Sequence, residues 1–85
     1  MTQTVQHQID ELREIAAEVL EVEPEEITPE GLFAEEHDAD SLRAIELLAR
    51  IEKRFKIDIP QQELPNMVSL RALHEVVAKY AGWQA

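Results

Sequence analysis

Between Val5 and Leu20 the apolar residues Val5, Ile9, Leu12, Ala16 and Val19 recur at steps of three and four. That spacing puts them on one face of a helix, with Gln8, Glu11, Arg13, Glu14 and Glu18 expected to face mostly water. Pro24 cannot continue a helix and is expected to stop this one. Pro24 to Asp40 then forms a long connection containing Pro29 and Gly31, with Ile27, Leu32 and Phe33 as its apolar pins. Loops of this length are unusual in a compact domain and often functional; the pins predict one that is ordered and packed on its neighbours. A second helix is predicted from Ser41 to Phe55. Ile57-Asp58-Ile59-Pro60 reads as an extended exit, because the residue before a proline avoids the helical region. Gln61 to Leu64 suits one short turn ended by Pro65. Ser69 is the expected cap of a last helix through Tyr80, with Leu70, Leu73, Val77 and Tyr80 on its buried stripe and Gly82 closing it. The pattern predicts an all-α fold, a small bundle of three main helices plus one short helix.

The second helix carries two apolar faces. At about 100° per residue, Ala44, Leu47, Leu48, Ile51 and Phe55 gather on one side and form the expected core stripe. Leu42, Ile45 and Ala49 fall on roughly the opposite side, flanked by Glu46, Glu52 and Lys53. A small bundle needs one such stripe. Either the long loop or the short turn covers the second, or it is an exposed docking patch rimmed by charge.

Eighty-five residues suffice for one domain, 1–85, with a core too small for a buried catalytic cleft. Eight basic against eighteen acidic residues give a formal charge of −10. That field disfavours nucleic acid and anionic membranes and favours partners with a basic face. Without cysteine the chain has no disulfide, thiolate metal site or thiol nucleophile. Met1-Thr2-Gln3-Thr4 leads straight into the first helical pattern, with no signal-peptide core or membrane span, so a cytoplasmic protein is expected.

Candidate chemistry centres on Asp38-Ala39-Asp40-Ser41-Leu42. Asp40 or Ser41 suits a helix cap, and Asp38 and Asp40 suit the positive end of the helix dipole. Ser41 as a catalytic nucleophile lacks an oriented base and an oxyanion site: the histidines are His7, His37 and His74, and no glycine-flanked elbow surrounds it. A calcium loop starting at Asp38 would put Arg43 where glycine is needed and Ala49 where a bidentate carboxylate is needed. Glu35, Glu36, Asp38 and Asp40 therefore predict no specific metal site. What remains is a serine placed to be acted upon.

Asp40-Ser41-Leu42, then Ile45-Glu46-Leu47, then Arg50-Ile51-Glu52-Lys53-Arg54-Phe55-Lys56-Ile57-Asp58-Ile59-Pro60 together resemble the acyl carrier proteins. The match extends back through Val22, Ile27-Thr28-Pro29 and Leu32-Phe33, and forward through Val68-Ser69-Leu70. The resemblance implies an acyl-carrier-like bundle and no enzymatic activity. It implies that a phosphopantetheinyl transferase joins 4′-phosphopantetheine from coenzyme A to Ser41, between Asp40 and Leu42, and that an acyl chain rides on the arm as a thioester. It implies a partner-binding helix presenting Leu42, Arg43, Ile45, Glu46 and Ala49 to a ketosynthase, an acyltransferase and other pathway enzymes. Phe33, Leu47, Ile51 and Phe55 would surround a sequestered chain, and the protein alone would be a monomer.

The chain departs from the family at named positions. His37 and Asp38 stand where the family often has Leu-Gly, Arg43 where fatty-acid carriers usually have an acid, and Lys53-Arg54 where they tend to be acidic. The mixed charge of the second helix looks more like a carrier of polyketide or other specialised biosynthesis. A peptidyl carrier and an unmodified helical adaptor are the alternative readings.

Overall fold

The computed structural model describes residues 5–37 and 40–83, so the readings made for Asp38, Ala39 and Met1 to Thr4 lie outside the described residues. The first periodic stretch forms helix α1 (Val5–Leu20). It ends ahead of Pro24, because Glu21 adopts a left-handed backbone (φ 60°) and the Val22 N–H reaches back to the Ala17 carbonyl at 3.0 Å. This closure satisfies a carbonyl that the helix end would otherwise leave bare. Pro24 instead opens a 3₁₀ turn, Pro24–Glu26. The long loop contains a further one-turn helix, α2 (Phe33–Glu36). The second periodic stretch forms α3 (Ser41–Phe55), closed by Lys56 in the left-handed region (φ 57°). The last forms α4 (Leu70–Ala81), capped by the Ser69 hydroxyl on the Ala72 N–H at 3.2 Å and closed by Gly82 at φ 73°.

The short turn is a 3₁₀ helix over Gln61–Asn66, so Pro65 lies inside it and does not end it. The bonds that tie its two ends run from Glu63 N–H to the Pro60 carbonyl and from Met67 N–H to the Leu64 carbonyl, each 3.0 Å. Neither needs the N–H that proline lacks.

α1 packs against both α3 and α4. Leu12, Val19, Ile51, Leu70, Leu73 and Val77 are fully buried between them, and Leu47 and Leu48 extend the core along α3. Ala44 and Phe55 flank it half-buried, as does Tyr80 on α4. The loop is ordered and tied to the start of α4: Phe33 N–H donates to the Val68 carbonyl (2.9 Å) and Arg71 N–H to the Pro29 carbonyl (3.0 Å). Ile27 and Phe33 bury as pins, whereas Leu32 stays 39% exposed.

Gln8, expected to face solvent, is buried. His74 of α4 donates from Nε2 to its Oε1 at 2.8 Å. This bond meets the requirement that a buried polar group be paired. Trp83 lies over His74 (ring centroids 5.9 Å apart) and meets Phe55 edge-on at 5.0 Å. A second polar tie joins the 3₁₀ helix to α4: Glu63 accepts from the Tyr80 hydroxyl at 2.7 Å and from Asn66 Nδ2 at 2.9 Å, with Lys79 at 3.6 Å.

With these two ties, stability is expected to fall as the pH drops. Burial lowers the His74 pKa below its ordinary 6.5, with Glu75 opposing. Hydrogen bonds from Tyr80, then Asn66, lower that of Glu63 below 4.5. In both cases the unfolded chain takes up protons first as pH drops, so the folded state loses stability. A melting temperature that declines from pH 6.5 downward, and again below 4.5, is the expected titration. A curve flat down to 4.5 would contradict the His74 account.

Candidate functional site

Asp40 is the cap of α3. Its backbone is extended (φ −100°, ψ −174°) and its Oδ1 accepts the Arg43 N–H at 3.0 Å. Ser41 is therefore the first helical residue, and its side chain is exposed with no capping duty to perform. The hydroxyl sits at the positive end of the α3 dipole, which favours an anion such as a phosphodiester.

Running away from Ser41, the second apolar face is open. Leu42 is 67% and Ile45 43% exposed, and Glu46 and Ala49 are exposed beside them. The loop that could have covered this face is tied instead to the start of α4. The structure thus brings together on one accessible helix face four of the five residues expected to meet partners.

Arg43 is the exception. Expected to face solvent, it is half-buried: its guanidinium donates to the Val19 carbonyl at 2.5 Å and lies 3.3 Å from Glu21 Oε2. A helix drawn on its own shows Arg43 at the edge of the exposed face. The end of α1 lies across that edge and supplies an acceptor that α1 cannot satisfy internally.

Beside Ser41 opens an apolar cavity of about 280 Å³. Phe33 and Leu47 line it as expected, with Ala44 of α3 and Leu64, Met67 and Val68 around the 3₁₀ helix. Ile51 and Phe55, also expected there, lie elsewhere: Ile51 is sealed in the core and Phe55 packs on Trp83. Leu64, Met67 and Val68 were missed because they are dispersed around Pro65 with no helical period.

His37 closes α2 through its backbone N–H, which donates to the Phe33 carbonyl at 2.9 Å, and the His74 ring is committed to Gln8. Among the described residues no group of three histidine or acidic side chains is placed to hold a metal, and no helix is long and apolar enough to cross a membrane.

Residues 10–77 match the family model described as the phosphopantetheine attachment site. This chain belongs to the acyl carrier protein family. The carrier is 48% identical over 71 residues to polyketide-8 synthase acyl carrier protein 1 of Streptomyces avermitilis, covering 84% of each chain. It is 37% identical over 78 residues to the meromycolate extension acyl carrier protein of Mycolicibacterium smegmatis, covering 92% of this chain and 76% of that one. Among solved structures it matches a chain in one described as "The ishigamide ketosynthase/chain length factor", with a TM-score of 0.76, 36% identity, and coverage of 88% of this chain and 94% of that chain. The family's prosthetic group is 4′-phosphopantetheine, and the protein is a carrier and not a catalyst.

The site suits that group: an exposed hydroxyl at a helix N-terminus, an apolar cavity beside it, and a chain with no thiol of its own.

Proposed function

We propose that Ser41 carries the 4′-phosphopantetheine arm and that the carrier serves polyketide synthesis. The observation that carries the site assignment is the division of labour at the start of α3, where Asp40 caps the helix and leaves the Ser41 hydroxyl exposed. When bound, the arm supplies the thiol that a cysteine-free chain lacks, so that an acyl group is held as a thioester. The chain's own residues present that thioester: α3 fixes the attachment point, and Leu42, Ile45 and Ala49 offer partners an apolar face with Glu46 at its edge. The cavity beside Ser41, bounded by Phe33, Leu47 and Met67, can shelter a short apolar stretch of the cargo.

The polyketide reading rests on the likeness to the Streptomyces avermitilis polyketide synthase carrier and to the chain solved with the ishigamide ketosynthase/chain length factor. That matched chain is itself carrier-sized, since this one covers 94% of it, which supports a ketosynthase as a partner. We extend the partner set to a phosphopantetheinyl transferase and an acyltransferase, and take the carrier as one monomeric cytoplasmic domain.

Incubation with coenzyme A and a promiscuous phosphopantetheinyl transferase is expected to add one phosphopantetheine mass to the folded protein. Absence of that addition with several transferases would remove the proposal.

A further inference from the structure

Cations are scarce on this surface, and nearly all are committed. Of the eight basic residues, Arg13 pairs with Asp10, Arg43 with Glu21, Arg50 with Glu18, Arg54 with Glu11, Arg71 with Glu30 and Lys79 with Glu63. Among the described residues only Lys53 and Lys56 have no acidic partner within ion-pair distance. Lys56 lies past the helix, where the backbone turns left-handed. Lys53 lies on α3 itself and is exposed.

Its position on the helix is specific. Lys53 follows Ala49 by four residues and Leu42 by eleven, which at about 100° per residue places it within roughly 20° of Leu42 around the axis. It therefore ends the same exposed stripe, about 17 Å from Leu42 at 1.5 Å per residue. With Ala49, Arg50 and Arg54 it lines a shallow surface groove. Glu52, its neighbour in sequence, is turned to the chain's exit, where its Oε2 accepts the Ile59 N–H at 2.8 Å. The stripe thus changes sign along its length: Glu46 is exposed toward the serine end, and Lys53 is exposed at the far end.

We propose that Lys53 is a specificity-determining contact, meeting an acidic side chain on the ketosynthase while Leu42 and Ile45 meet its apolar surface. This rests on the reading of the α3 face as the docking surface. An all-acidic stripe would fit any uniformly basic partner. A stripe with a cation at its end fits one that places an acid about 17 Å from its apolar contact, and it repels one that places a base there. Complementary charges also fix the register in which the helix docks, and with it where the Ser41 arm enters the partner.

The test measures binding of the loaded carrier to the ketosynthase–chain length factor pair of the producing organism. Lys53→Glu is expected to weaken it about tenfold, and Lys53→Arg to retain it. Arg71→Glu, which changes the net charge equally away from α3, is expected to alter it less than about twofold. Equal effects of Lys53→Glu and Arg71→Glu would overturn the proposal, and so would tighter binding of Lys53→Glu. Ile45→Asp separates the contact from the surface that holds it. If it abolishes binding while Lys53→Glu does not, only the Lys53 contact fails. If it too is without effect, the docking face itself is wrong. Unchanged melting temperatures in all variants ensure that binding is compared between folded proteins.

Discussion

Ser41→Ala is expected to abolish phosphopantetheine loading while leaving the fold intact. The two effects separate because the serine has no structural role, Asp40 accepting the Arg43 N–H while Ser41 is exposed at the first helical position. Alanine is a good helix former, so the stability change should stay within about 0.5 kcal/mol. Asp40→Ala gives the reverse pattern, since losing the cap costs about 1 kcal/mol, or roughly 4–8 °C in melting temperature for a domain of this size, with the Ser41 hydroxyl still present. Asp40→Asn retains a capping oxygen and removes the charge, so its loading rate reads what the carboxylate contributes to transferase recognition. Intact mass and a thermal melt on each variant suffice. Loading of Ser41→Ala at another residue would overturn the assignment.

Arg43→Glu should produce the largest loss of stability among surface substitutions on α3. It removes a charged hydrogen bond to the Val19 carbonyl and sets a carboxylate beside Glu21. A hydrogen bond from a charged donor contributes about 1.5–3 kcal/mol, so the melting temperature should drop by roughly 10 °C. Arg43→Lys should recover part of it. A melt unchanged by Arg43→Glu would show that the tie between α1 and α3 contributes nothing. Any altered choice of partner by this variant has to be read below its lowered melting temperature, because Arg43 holds two helices together as well as bordering the exposed apolar face of α3.

The three long helices were legible because each announces itself locally, whereas the single turns at Pro24–Glu26 and Phe33–Glu36 were read as loop. The 3–4 spacing from Val5 to Val19, the Asp-Ser start before Leu42, and the Ser69 and Gly82 ends are all contained in a few neighbouring residues, and α1 and α3 lie where these signals put them. The exposed face of α3 was legible for the same reason, as a second stripe on one helix. What could not be read depends on residues far apart in sequence. Gln8 is buried because His74, 66 positions away, offers it a donor. Arg43 is half-buried because the end of α1 needs a cation 24 positions away. The cavity is assembled from α3, the loop and the 3₁₀ helix, so its lining has no period at all. Pro65 was misread as a stop because in a 3₁₀ turn this short its missing N–H costs nothing. The mixed charge along α3 was visible in the sequence; which cations remained uncommitted was not, since most of the ion pairs form only once helices and loop are packed together.

The packing of Trp83 against His74 and Phe55 has a practical consequence. Trp83 is the chain's one tryptophan, and Phe55 ends α3 about 21 Å along the helix from Ser41. The carrier therefore contains its own optical probe, at the end of the bundle remote from Ser41. Indole emission should follow unfolding and the protonation of His74, yet stay constant as cargo of any kind is attached. Fluorescence melts of the apo, loaded and acylated forms can then be compared on one scale, with no label added.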